Sequence, residues 1–177
     1  RGLLALADRH GCVLAGGDTT RAAQVGTRPG PLAICITALG ELPRGAALTR
    51  GGARPGDEIF VSGTLGDAAL ALAAQPGSLP ADVQLDFVDA AAVQLRLDRP
   101  EPRVALGQGL RGIATSCIDV SDGLVGDLAH IAERSQVGAR LDWAALPLSP
   151  ALRRQSLELR QRCALAGGDD YELLFSA

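Results

Sequence analysis

The sequence predicts a mixed α/β protein, and three observations carry that reading. Short apolar runs of strand length alternate along the chain with stretches whose apolar residues recur at helical spacing. Clusters of glycine and proline punctuate the changeovers. The composition, 47% hydrophobic and 21% charged over 177 residues, is that of an ordinary globular chain long enough to bury a core.

Taken in order, Leu3, Leu4, Leu6 and Ala7 mark a helix over 3–10 that stops at Gly11. Residues 12–15 read as a short apolar strand running into Gly16-Gly17-Asp18-Thr19-Thr20. A loop with Gly26, Pro29, Gly30 and Pro31 follows, then a longer strand over 32–42 in which Ile34 and Ile36 alternate with Cys35 and Thr37. Gly51-Gly52-Ala53-Arg54-Pro55-Gly56-Asp57 is the densest turn signal and the candidate domain boundary. Strand 58–62, the turn Gly63-Thr64-Leu65-Gly66-Asp67 and an Ala/Leu-rich helix over 67–75 come next. A Pro/Gly loop over 75–82 leads to helix 87–97, which stops before Pro100, and to helix 103–112, which follows Pro102. Strand 115–120 meets the loop Asp119-Val120-Ser121-Asp122-Gly123. Helix 124–135 places Leu124, Leu128 and Ile131 on one face. Strand 138–143, a proline-bounded loop and a weakly helical stretch lead to Gly167-Gly168-Asp169-Asp170, and 171–175 reads as a strand.

Composition excludes several kinds of chemistry. The chain has no Lys, which removes Schiff-base catalysis and the phosphate-loop lysine together. Its net charge of −3, with no basic cluster, argues against a nucleic-acid surface. No apolar run reaches the ~20 residues of a membrane span, and no signal-peptide pattern is present. The absence of Met, and a start in mid-helix, predict a piece of a longer protein. Cys12, Cys35, Cys117 and Cys163 form no CxxC pair and read as buried, reduced thiols of a cytosolic protein. His10 and His130 have no zinc-type spacing.

Three loops share one design, an apolar strand followed by small residues and then Asp: Gly16-Gly17-Asp18, Asp119-Val120-Ser121-Asp122-Gly123 and Gly167-Gly168-Asp169-Asp170. Each alone is a common turn or helix cap. Together they offer hard oxygen ligands suited to Mg²⁺, beside glycines whose amides admit a close ligand. The Asp119–Gly123 loop also opens a helix, whose N-terminus favours anions. Carboxylates and an anion-binding helix end share a ligand only if a cation lies between, as in a metal–phosphate complex. Gly63–Asp67 lacks the paired carboxylate and reads as a structural turn.

These residues carry a resemblance. Ala15-Gly16-Gly17-Asp18-Thr19-Thr20-Arg21, Leu48-Thr49-Arg50, Gly52-Ala53-Arg54-Pro55-Gly56-Asp57, Cys117-Ile118-Asp119-Val120-Ser121-Asp122-Gly123-Leu124 and Gly167-Gly168-Asp169-Asp170-Tyr171-Glu172-Leu173 resemble the thiamine-monophosphate kinase family in order and spacing. So do Asp127-Leu128-Ala129-His130-Ile131 and Val137-Gly138-Ala139. That family shares the aminoimidazole-ribotide synthetase-like fold with other ATP-using enzymes. The resemblance implies that residues 1–45 end an N-terminal, ATP- and metal-binding, dimerising half, and that 46–177 form most of a C-terminal α/β domain. It implies transfer of a phosphoryl group from ATP to thiamine monophosphate with Mg²⁺, in a cytoplasmic homodimer. By motif match, Gly17, Asp18, Arg50 and Ser121 contact ATP, Asp18, Asp119 and Asp122 hold metal, and Asp169 contacts the thiamine substrate. Many relatives carry Glu at the position of Asp169. Further metal and substrate contacts of the family lie outside this sequence. The chemistry is consistent with this: a phosphate monoester is already an anionic nucleophile, so no His or Lys base is required, and the task is positioning and charge compensation. The alternatives are another ATP-using enzyme of the superfamily acting on a different small molecule, and a non-catalytic nucleotide-binding module.

Overall fold

A computed structural model describes residues 2–21, 24–26, 28–78 and 83–177. The loop expected over 75–82 therefore lies partly outside the described residues, at 79–82. The chain divides into two compact units, residues 1–42 and 43–177.

In the first unit, α1 spans Gly2–Arg9, as its apolar spacing predicts. Gly11 ends it with a φ of +66°, and the Cys12 amide returns to the Ala7 carbonyl at 2.8 Å. Two short strands, β1 (Gln24–Val25) and β2 (Arg28–Pro29), pair antiparallel. The strands expected over 12–15 and 32–42 are absent. An apolar alternating run becomes a strand only when its backbone finds a ladder partner, and among the described residues neither run has one. Their side chains stand in the open: Val13 is 89% exposed and Leu39 92%. Cys12 and Cys35 are accordingly exposed, contrary to the burial expected of them.

The second unit is built on a sheet of three short strands. These are β3 (Ile59–Val61), β4 (Ser116–Asp119) and β5 (Leu173–Ser176), in the order β3-β5-β4, with β5 antiparallel to both neighbours. Helices α2 (Asp67–Ala73), α3 (Phe87–Asp98) and α4 (Val104–Gly109) connect β3 to β4. Between β4 and β5 come α5 (Leu124–Ser135), α6 (Pro150–Arg153) and α7 (Leu157–Ala166). Strand β5 begins later than the sequence suggests, because Asp169 and Tyr171 leave extended geometry before it. The strand expected over 138–143 pairs with nothing among the described residues, and the chain there passes into a 3-10 turn at Trp143–Ala145 capped by Asp142.

Helix boundaries follow their capping chemistry. Asp86 accepts the Asp89 amide at 2.7 Å, and Ser149 and Ser156 accept those of Leu152 and Leu159. The cap at Ser156 separates α6 from α7, which explains why the sequence signal over this stretch is weak. The core joins Ile118 and Leu174 of the sheet to Leu124, Leu128 and Ile131 of α5, and to Leu70, Leu152 and Cys163. Each such large side chain contributes about 1.5–3 kcal/mol by leaving water. Burial pushes the Cys163 thiol up to about 11, so it stays protonated and inert. No helix among the described residues is long and apolar enough to cross a membrane.

Gly66 shows how tightly α2 meets α7. Its φ is +84°, and a Cβ there would sit 2.7 Å from the Cys163 carbonyl carbon and 2.8 Å from the Ala164 nitrogen, both backbone atoms. Gly77 has the same φ sign, +83°, but open space around it. Gly66→Ala should destabilise the protein by more than about 2 kcal/mol, and Gly77→Ala by about 1 kcal/mol, the cost of the left-handed backbone alone. Urea unfolding of the two variants checks the difference.

Candidate functional site

Strand β4 delivers Asp119 at its end, and the chain turns through Val120, Ser121 and Asp122 into α5. Gly123, with a φ of +111°, makes this turn possible against Ala166, whose carbonyl carbon lies 2.8 Å from where a Cβ would be. Asp127, buried in the first turns of α5, closes the loop from within. Its Oδ2 accepts the amides of Ser121 at 3.0 Å and Asp122 at 3.1 Å. Those two amides therefore serve an internal carboxylate. The side chains of Asp119 and Asp122 are exposed.

The second loop leaves α7 through Gly167 and Gly168. A Cβ on Gly168 would run into the Ser121 carbonyl, so the two loops touch backbone to backbone. The Asp169 amide donates to the Ser121 carbonyl at 3.0 Å, the Tyr171 amide to the Val120 carbonyl at 2.9 Å, and the Val120 amide to the Glu172 carbonyl at 2.8 Å. Burial alternates along the segment: Asp170 and Glu172 are buried, Asp169 is half-buried and Tyr171 exposed. Asp169 and Asp170 thus have different surroundings.

Beneath the loop, both buried carboxylates are committed. The Asp170 Oδ2 accepts the Gly66 amide at 2.7 Å, while its Oδ1 is buried with no partner. Burial, with Asp67 adding to it against the pull of the Gly66 amide, raises the Asp170 carboxyl to about 7. Glu172 receives Arg96 at 2.7 Å, Arg103 at 2.6 and 2.7 Å, and the Ser62 hydroxyl. Burial opposes its charge, but these hydrogen bonds and guanidinium charges prevail and hold the carboxyl below its usual range. The turn Gly63–Asp67 is structural, as its sequence suggests: Thr64 donates to Asp67 at 2.9 Å, and the turn receives Asp170.

Above the loop, the Tyr171 hydroxyl donates to Asp169 Oδ1 at 3.1 Å. That bond, burial, and the charges of Asp169, Asp119 and Asp122 all push the tyrosine pKa up, so three carboxylates oppose the ionisation of one hydroxyl. The structure therefore brings Asp119, Ser121, Asp122 and Asp169 together. Arg50 is placed elsewhere: its carbonyl accepts the Ser135 hydroxyl at 3.3 Å, at the far end of α5, about 18 Å of helix from Asp122. Gly17 and Asp18 are exposed in the first unit, where Asp18 Oδ1 accepts the Thr19 amide at 2.8 Å.

Among the described residues, no three acidic, histidine or cysteine side chains form a ready metal cage. Asp119 and Asp122 still suit Mg²⁺, which is commonly held by one or two carboxylates together with substrate phosphates. A groove of about 600 Å³ lies elsewhere, between residues 53–61, the inner face of α5 and residues 137–147, and contains none of the expected site residues. Sequence reasoning passed over the supporting roles of Asp127, Glu172 and Tyr171. Asp127 had a signal, an acid in the first turns of a helix directly after the loop. The arginines of Glu172 come from α3 and from the residue that precedes α4, and had none.

Residues 54–177 match the family model of the AIR synthase related protein, C-terminal domain. The thiamine-monophosphate kinase of Escherichia coli O157:H7 is 48% identical over 164 residues, 92% of this chain and 47% of that protein. The crystal structure of the thiamine-monophosphate kinase from Stenotrophomonas maltophilia K279a superposes with a TM-score of 0.87 at 50% identity, over 99% of this chain and 54% of that one. The structure of AaThiL complexed with AMPPCP and TMP gives a TM-score of 0.62 at 36% identity, over 73% of this chain and 41% of that one. The chain spans about half the length of the curated relatives it matches.

The raised Asp170 carboxyl makes stability depend on pH. With a folded value near 7 against an ordinary 3.8, its contribution is complete below about pH 4 and is lost as pH rises through 7. Asp170→Asn mimics the protonated acid. Its stability relative to wild type should rise by on the order of 4 kcal/mol between pH 4 and 8 and then level off. Thermal melts of both proteins across that range check it, and a constant difference would contradict it.

Proposed function

This chain belongs to the AIR synthase related protein family through its C-terminal domain, and from that premise we propose that the whole protein phosphorylates thiamine monophosphate to thiamine diphosphate with ATP and Mg²⁺. The observation that carries the reading is the meeting of Asp119, Asp122 and Asp169 on two interlocked loops. The similarity to thiamine-monophosphate kinases supports it, as does the AMPPCP and TMP bound to AaThiL, an ATP analogue and the acceptor class inferred here.

Each residue then has a role. Asp119 and Asp122 offer carboxylate oxygens to magnesium, with Ser121 between them toward ATP. Asp18 serves metal and nucleotide, and Gly17 lets the nucleotide approach its backbone. Arg50, at the far end of α5, offers its guanidinium to the nucleotide. Asp169 faces the acceptor, where a carboxylate matches the thiazolium charge and the aminopyrimidine donor. Bound magnesium would offset the repulsion between two polyanions. The chain's own contribution is to fix the carboxylates in advance, through Asp127 on one loop and Asp170 and Glu172 under the other, so that positioning and charge supply the catalysis. We place the protein in the cytoplasm as a homodimer, as its resemblance to the family implies.

Incubating the whole protein with ATP, Mg²⁺ and thiamine monophosphate should yield ADP and thiamine diphosphate in equal amounts. Nucleotide binding without diphosphate formation would favour another ATP-using activity. Asp122→Asn should lower kcat by about 100-fold at limiting Mg²⁺ while leaving the melting temperature unchanged. Arg50→Ala should raise the KM for ATP about 10-fold and spare the KM for thiamine monophosphate. Steady-state kinetics with each substrate varied separate these effects, and a selective change in the thiamine KM would move Arg50 to the acceptor side.

A further inference from the structure

We propose that Tyr171 is a positioning residue for Asp169, and that the two side chains act as a unit to set affinity for the phosphate acceptor. The proposal rests on the functional reading above, in which Asp169 meets the acceptor. It begins from a backbone oddity. Asp169 and Tyr171 have φ values of +66° and +50°, in the left-handed region that side-chain-bearing residues seldom enter, and a bulky aromatic residue there is a marked outlier.

The neighbours show what holds this conformation. Asp170, between the pair, is pulled inward to the Gly66 amide at 2.7 Å, and Glu172 is pulled inward to Arg96 and Arg103. On the other side, the amides of Asp169 and Tyr171 are fastened to the carbonyls of Ser121 and Val120. Two buried anchors and two backbone bonds thus over-determine the strained residues. Packing does not explain the aromatic ring, since Tyr171 remains 42% exposed. What the arrangement does achieve is a meeting of the two outward side chains. The Tyr171 hydroxyl reaches Asp169 Oδ1 at 3.1 Å.

That hydrogen bond has a specific consequence. It restrains the Asp169 carboxylate and occupies Oδ1, leaving Oδ2 to meet a cationic or N–H-bearing ligand. The hydroxyl is a dependable donor, because the surrounding carboxylates oppose its ionisation. Phenylalanine would keep the ring and lose the restraint.

The test is Tyr171→Phe in the whole protein, alongside Asp169→Asn, the double variant and wild type, with thiamine monophosphate and ATP varied separately. Tyr171→Phe should raise the KM for thiamine monophosphate about fivefold, the effect of one lost hydrogen bond, with kcat, the KM for ATP and the melting temperature unchanged. In the Asp169→Asn background the Phe substitution should have no further effect, because a unit once broken is not broken twice. An unchanged KM for thiamine monophosphate, equal changes for both substrates, or multiplying effects in the double variant would overturn the proposal while leaving the kinase reading intact. A wild-type protein that makes no thiamine diphosphate overturns the reading and this proposal with it.

Discussion

The candidate site depends on a short stretch of backbone pairing beyond the end of the sheet, between Val120–Ser121 and Asp169–Glu172. Three amide–carbonyl bonds of 2.8–3.0 Å lock together two loops that lie about fifty residues apart in sequence and bear carboxylates of different destinations. The glycines follow from this pairing. Gly168 is small because the Ser121 carbonyl occupies the place of its Cβ, and Gly123 because Ala166 does the same. A turn rich in glycine and aspartate is usually a local matter of backbone freedom. Here the glycines are read better as points where one loop presses on another.

Under this junction lies a layer of almost wholly buried acids. Asp127, Asp170 and Glu172 each answer donors from elsewhere: two loop amides, the amide of Gly66, and a pair of arginines with a serine. Buried acids of this kind, paired with arginines or with backbone amides, contribute little net stability, since desolvation consumes most of the attraction. They are directional, however, and an acid removed from its partners leaves the partners unsatisfied. The layer therefore fixes geometry more than it adds stability. That suits chemistry in which the reacting groups are already charged and the protein's task is to hold carboxylates where charge must be compensated.

Much of this was legible in the sequence, and the losses have physical causes. Helix α5 was readable to the residue, because an amphipathic face at 124, 128 and 131 and the flanking glycine both mark it. The loops of Asp119, Asp122 and Asp169 were readable as candidates because strand–small–Asp is a local pattern. The strands expected over 12–15, 32–42 and 138–143 fail for one reason: an apolar or alternating run reports a preference for extended backbone, and a strand also needs a partner that the local pattern does not encode. The supporting acids were hidden differently. Asp170 is adjacent to Asp169 and chemically identical to it, yet only the distant Gly66 decides that it is bound inside. Glu172 draws on α3 and on Arg103 at the head of α4, and no spacing rule links residues 96, 103 and 172.

The order of the sheet has a consequence for how the domain comes into being. Strands β3 and β4 never pair with each other; both pair with β5, which arrives more than fifty residues after β4. Until residues 173–176 leave the ribosome, two strand edges and the apolar faces behind them have no complement. Closure of the sheet is thus a late, long-range event with a large loop entropy to overcome, and α2, α5 and their neighbours must wait as partly packed helices. The same strand carries Asp169–Glu172 at its leading end, so the two loops are joined at the moment the sheet closes. A nascent chain stalled before this point would hold the aspartates of the first loop without the second, and would present unpaired edges to any chaperone or neighbouring chain nearby.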